Sequence, residues 1–269
     1  MNRTARWFVS IALLSSSCHT VGGGPVRIVA TDAGLEAPAT MRAGLRHIVF
    51  ENHGAEIHEA LLVRLPAGMD AERFAALVND GVLFPEGAQD YSGPGLLAGG
   101  EAMELWLTLD AGDYVLICWH HMRDPVRGFS VPAGAREDDV PPREDAVLSL
   151  RDFRFELSGA LRAGERVIKV EAHGPTIHEA DIFRLQPGRT AGDVQRWYKD
   201  DLGGAPPADA LGGVLDSHDT RRVVWLRRNF TPGRYVLHCG IPLDQQAKSG
   251  ESAGLHADAG MVLTFDIDP

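Results

Sequence analysis

Apolar and polar residues alternate along much of the chain, in short bursts. His47-Ile48-Val49-Phe50-Glu51 and Val167-Ile168-Lys169-Val170-Glu171 are rich in β-branched residues, and Leu105-Trp106-Leu107-Thr108-Leu109 and Val223-Val224-Trp225-Leu226 are similar. Gly and Pro clusters such as Leu65-Pro66-Ala67-Gly68 and Thr231-Pro232-Gly233 punctuate these runs. Many short strands at such spacing predict a sandwich of antiparallel sheets. Two segments break the pattern. Phe74, Leu77 and Val78 recur at helical spacing, as do Val194, Trp197 and Tyr198, which predicts short helices over 71–80 and 191–200.

The pattern occurs twice. Residues 43–68, AGLRHIVFENHGAEIHEALLVRLPAG, match 163–188, AGERVIKVEAHGPTIHEADIFRLQPG, without a gap and with 14 identities in 26 positions. The match resumes where Gly112-Asp113-Tyr114-Val115-Leu116-Ile117-Cys118 parallels Gly233-Arg234-Tyr235-Val236-Leu237-His238-Cys239. Such self-similarity marks a duplicated unit. The chain has 269 residues, and each half is long enough to bury its own core. We read 25–131 as a first β-domain, 146–269 as a second, and the proline-rich, charged stretch 132–145 as the linker between them.

Residues 1–24 read as an export signal. Arg3 and Arg6 precede an apolar core from Trp7 to Leu14, followed by Ser15-Ser16-Ser17-Cys18. That ending resembles a bacterial lipoprotein cleavage site, with Cys18 as the lipidated residue and membrane anchor; simple cleavage is the other reading. Either places the mature protein outside the cytoplasm, in the periplasm or on the outer surface of a bacterial cell. The net charge of −11, with no basic run longer than a pair, argues against a nucleic-acid partner. There is no Gly-x-Ser-x-Gly nucleophile elbow and no P-loop.

Chemistry concentrates in the second half. His178 lies ahead of the strand-like run Ile182-Phe183-Arg184-Leu185, Cys239 ends the Tyr235 strand, and His256 and Met261 follow in the string HADAGM. Two imidazoles and a thiolate with a weak thioether suit copper cycling between Cu(I) and Cu(II). Zinc also takes His and Cys, but a Met in the fourth place favours copper. Cys118 and Cys239 sit at equivalent places. A disulfide between them would join the two halves, whereas thiols kept reduced in an oxidising compartment need a reason such as metal ligation.

An early His, a Gly-x-Tyr strand ending in Cys, and a final His-x4-Met step resemble the cupredoxins, the blue copper proteins. The resemblance covers both halves. It implies two tandem Greek-key β-sandwich domains, each with a short inserted helix, a type-1 copper site of His178, Cys239, His256 and Met261, and single-electron transfer to a redox partner protein. Sixteen residues separate Cys239 from His256, a long spacing for that family.

In the first half His58 and Cys118 match His178 and Cys239, and Trp119-His120-His121-Met122 follows. A second metal site of His58, Cys118 and His121 or His120 is one reading, a degraded site in a structural domain another, and Met122 is a further candidate ligand. Aligned without gaps, Gly128-Phe129 takes the place of Gly260-Met261 and Asp124 that of His256. His238 adjoins Cys239, but strand neighbours point to opposite faces, so it cannot readily share that site. It raises the alternative of a copper-dependent oxidoreductase with an additional copper, of the nitrite reductase or multicopper oxidase type. A non-redox copper-binding or metal-free module is the third reading. Glu59 and Glu179 follow the ligand histidines and are expected either to orient the rings or to be solvated turn carboxylates. His53 and His173 read as strand-end turn residues.

Overall fold

The computed structural model describes residues 24–82, 85–121, 125–134, 136–200, 202–217, 223–244 and 254–268. The signal segment with Cys18, and also Met122 and Asp124, lie outside the described residues. No helix among those described is long and apolar enough to cross a membrane.

The first half runs β1 (Val26–Thr31), β2 (Gly34–Glu36), β3 (Gly44–Asn52), β4 (Leu61–Arg64), α1 (Ala71–Asn79), β5 (Gln89–Pro94), β6 (Ala102–Leu109), β7 (Gly112–Ile117) and β8 (Arg127–Val131). The second half repeats this order as β9 (Ala146–Arg151), β10 (Arg154–Gly159), β11 (Gly164–Ala172), β12 (Glu179–Leu185), α2 (Ala191–Lys199), β13 (Ala208–Ser217), β14 (Val223–Phe230), β15 (Gly233–His238) and β16 (Val262–Ile267). The expected all-β class, with one short helix per half, is what the chain adopts. Connections cross repeatedly between two stacked sheets, giving the Greek-key sandwich that the resemblance implied.

Each helix starts where the sequence supplies a cap. The Asp70 carboxylate accepts from Arg73 N at 2.8 Å, and Thr190 forms a capping box with Asp193. Both helices lie on the outer face of the second sheet. Phe74 packs with Leu61, Val63 and Ile117, and Val194, Trp197 and Tyr198 pack with Phe183 and Val236. Strands β4, β7, β12 and β15 are therefore covered on both faces, and β4 and the end of β7 read as apolar runs. Strand β3 faces the inter-sheet core on one side only and alternates, burying Arg46, Ile48, Phe50 and Asn52.

The antiparallel expectation needs one correction. β1 pairs with β3, and β9 with β11, in parallel. β2 turns back along the outer edge of β1, so the chain starts β3 on the far side of β1, running in the same direction.

The halves are fused edge to edge. One eight-stranded sheet has the order β10-β9-β11-β14-β6-β3-β1-β2, the other β16-β15-β12-β13-β5-β4-β7-β8. At the first seam Leu105 pairs with Leu226, flanked by Trp106 opposite Trp225, and at the second Pro94 pairs with Val214. Leu105 and Leu226, and Pro94 and Val214, hold equivalent places in the repeat. The contact is thus isologous, as in a symmetric dimer tied into one chain. The stretch expected to be a linker also packs down. Glu137 N and Asp139 N donate to Ala43 O and Leu45 O, and the Asp139 carboxylate accepts from His47 N.

Candidate metal centre

Strand β15 carries Cys239 from its end into the inter-sheet core, where the residue is fully buried. His178 precedes β12, the neighbour of β15, and is also buried. His256 opens a short 3-10 turn, His256–Ala259, which ends at Gly260 with φ 112, a left-handed conformation that glycine adopts without strain. Backbone bonds staple this turn to the thiol: Ala257 N donates to Cys239 O at 3.1 Å and His256 N to Ile241 O at 2.8 Å. The long segment after Cys239 therefore does not hold His256 away.

The donor atoms of His178, Cys239 and His256 all lie within 4.8 Å of one another. His178 Nδ1 is 3.1 Å from His256 Nδ1, which is 3.5 Å from Cys239 Sγ. Met261 is fully buried in the core that holds Cys239, and its carbonyl accepts from Cys239 N at 3.2 Å. Phe153, in the turn between β9 and β10, stands edge-on to both rings, and Asp152 Oδ1 is 3.4 Å from His178 Nε2.

Burial keeps the imidazoles neutral. It pushes His178 below the usual histidine range, opposed by Asp152, and pushes His256 down to about 4 with help from His178. Burial also raises the Cys239 thiol well above its ordinary value, with Glu179 adding to the effect. Two neutral imidazoles with nitrogens converging on one thiol form a donor set that fits a soft, nitrogen- and sulfur-loving ion once the thiol gives up its proton.

The first half brings together a similar trio. The donor atoms of His58, Cys118 and His121 also lie within 4.8 Å of one another, and these two groups are the ones that converge among the described residues. Cys118 Sγ is 3.3 Å from His121 Nδ1, and His121 Nε2 is 2.8 Å from Glu56 Oε2. His120 instead presents its ring to Tyr198, 6.0 Å away between centroids. Burial, then Glu59, pushes the Cys118 thiol up to about 12. Both cysteines are free thiols, so no disulfide joins the halves.

The gapless alignment misplaces Phe129. Tyr114 pairs with Phe129 as Tyr235 pairs with Phe265, and both pairs stack. Phe129 is therefore the counterpart of Phe265, a core residue. Counting each hairpin inward puts Pro125 opposite Cys118, where Met261 lies opposite Cys239. The loops differ in length, so only the strand register reveals this.

Glu59 and Glu179 also differ from expectation. They are buried, not solvated, and they hold backbone rather than rings. Glu59 Oε1 accepts from Trp119 N at 2.9 Å, and Glu179 Oε1 accepts from Gly240 N at 2.5 Å, in each case the peptide following the ligand cysteine. Glu179 N in turn donates to Cys239 Sγ at 3.4 Å. Burial, then the charge of Asp181, raises Glu59 to about 8 and Glu179 well above the carboxylate range. His53 and His173 sit at strand ends beside Glu51 and Glu171, as expected of turn residues.

No protein-family model matches the chain, and no curated protein matches it. Solved structures similar to it include auracyanin B, at 16% identity over 49% of this chain and 93% of that one, with a TM-score of 0.32. The McoA multicopper oxidase 2F4 variant from Aquifex aeolicus has 12% identity, covers 91% of this chain and 66% of its own, and has a TM-score of 0.26. A multi-copper oxidase from Pediococcus acidilactici has 14% identity, the same coverage of this chain and 59% of its own, and a TM-score of 0.23. Likeness this slight transfers no chemistry, so what the centre can hold follows from its own side chains.

Proposed function

We propose that the chain is a copper-binding cupredoxin-like protein that carries single electrons through a type-1 site of His178, Cys239, His256 and Met261. The observation that carries this reading is the convergence of three buried donors, two of them neutral imidazoles, from three separate elements. Copper bound there would supply a one-electron couple. The protein's part is rigidity. Cys239 is fixed by backbone bonds to Met261 and Ala257, and Glu179 clamps the peptide that follows the thiol. Such preorganisation limits rearrangement between oxidation states. The apolar segment Trp7 to Leu14 and the Ser-Ser-Ser-Cys run support export to the periplasm or outer surface, with a lipid on Cys18.

The convergence of His58, Cys118 and His121 supports a second metal in the first half, with Pro125 at the register place that Met261 takes in the second. His238 faces α2, away from the thiol, and forms no converging donor group among the described residues, which counts against an additional catalytic copper there. Titration of Cu(II) into purified protein, with visible spectra and copper counted per chain, tests the assignment. In the Cys118→Ser background, an intense thiolate band that disappears when Cys239→Ser is added supports it. The absence of any such band in the wild type overturns it.

A further inference from the structure

Duplication provides an internal control, because one half shows which residues the fold itself requires. Beneath the helix of the first half the equivalent places hold Leu61, Val78 and Ile117, an apolar set. In the second half they hold Asp181, Tyr198 and His238. Asp181 and His238 are directly paired across β12 and β15, as Leu61 and Ile117 are across β4 and β7. Three polar side chains thus replace an apolar cluster in a fully covered layer. Burial of polar groups costs free energy that packing alone does not require.

The three are organised around the tyrosine. Tyr198 donates to Asp181 Oδ2 at 2.5 Å and lies 3.2 Å from Glu179 Oε1, the oxygen that holds the Gly240 amide. His238 stacks on the ring at 4.6 Å, and neither of its nitrogens has a hydrogen-bond partner among the described residues. The ring also lies so close to Gly240, the residue after Cys239, that a Cβ there would overlap it. The His120 ring, two residues after Cys118, stands T-shaped to it at 6.0 Å between centroids. Asp181 Oδ1 accepts from Leu96 N of the first half, so the carboxylate spans the seam. Tyr198 therefore stands between the two cysteine segments with a proton acceptor already on its hydroxyl. The other tyrosines do not combine these features: Tyr114 and Tyr235 bond backbone carbonyls four residues away, and Tyr91 pairs with Asp110.

We propose that Tyr198 is a redox-active relay residue between the two histidine–cysteine sites. A one-electron oxidant removes an electron from the phenol while the phenolic proton crosses the hydrogen bond to the Asp181 carboxylate. The products are a neutral tyrosyl radical, a carboxylic acid and the reduced oxidant. Reduction by one electron returns the proton to the phenolate oxygen and restores the pair. Coupling the two transfers avoids a buried phenol cation on one side and a phenolate on the other, both costly in this layer. The proposal deepens the electron-carrier reading and rests on it for its use in the protein, but the chemistry belongs to the chain alone.

The test therefore uses metal-free full-length protein and a photogenerated ruthenium(III) polypyridyl oxidant, at mildly alkaline pH. Asp181, raised by burial to about 6, is then ionised. Freeze-quenched samples are read by electron paramagnetic resonance. The wild type is expected to give a tyrosyl signal whose hyperfine structure narrows when the protein is grown on ring-deuterated tyrosine. Tyr198→Phe, which keeps the ring, should lose that signal, and Tyr91→Phe should keep it. Asp181→Asn should fall to the Tyr198→Phe level, with circular dichroism verifying the fold of each variant. A tyrosyl signal unchanged in Tyr198→Phe, or only a tryptophan radical in the wild type, overturns the proposal. A missing copper band would sink the metal reading and leave this result standing, so the two fail separately.

Discussion

Glu59 illustrates how a single buried acid sets a pH dependence. Its carboxyl is raised from 4.5 to about 8, chiefly by burial. The folded state thus holds a proton that the unfolded state has released above pH 4.5. Stability therefore falls as pH rises from about 4.5 to about 8, and the loss is complete above that. Glu59→Gln keeps an oxygen for the Trp119 amide and removes the titration. Relative to the wild type, the metal-free variant should gain stability across that window by a few kcal/mol, since each tenfold difference in proton affinity corresponds to about 1.4 kcal/mol. Denaturant melts at several pH values check this, and a constant difference would contradict it. The thiols make a second residue-level prediction. With His178 and His256 already neutral, ligation has one proton to displace, that of Cys239. Calorimetric titration of the Cys118→Ser variant in buffers of differing ionisation enthalpy should show release of about one proton per metal ion.

At the scale of elements, Gly240 ties β15 to α2. Gly240→Ala would drive a methyl into the Tyr198 ring. It should cost about 1–3 kcal/mol in thermal or denaturant unfolding, as overpacking does. Much of this scale was legible in the sequence. Both helices fell where Phe74 and Trp197 recur at helical spacing, and the strands fell where β-branched runs stood. The parallel pairs were not legible, because nothing in Val26–Thr31 states on which side of it β3 will lie. Nor was the place of Phe129, because unequal loops defeat a gapless count and only strand pairing restores it. The clamps of Glu59 and Glu179 escaped because sequence adjacency to His58 and His178 says nothing about the distant peptide each one meets. Asp181, Tyr198 and His238 were available to comparison of the halves, since Leu61, Val78 and Ile117 stand in the same places. The signal was a change of polarity at three positions that only the fold brings together.

For the molecule as a whole, the continuous sheets matter most. Both sheets run through the seam between the halves by way of β6–β14 and β13–β5, so neither half can unfold without exposing two strand edges of the other. Calorimetry should show one transition whose measured and van't Hoff enthalpies agree; two resolved transitions would contradict the fused architecture. Trp106→Ala removes one partner of the Trp106–Trp225 pair and should cost about 3–5 kcal/mol in that same transition. The fused frame is also what fixes the metal centre, because His178, Cys239 and His256 arrive from separate elements and meet only if the sandwich is intact. X-ray absorption at the copper edge, on the Cys118→Ser variant loaded with one equivalent of Cu(II), tests that meeting most directly. The account predicts one short sulfur scatterer and two imidazole nitrogens around the ion. A shell of nitrogen and oxygen alone, with no sulfur, would contradict it.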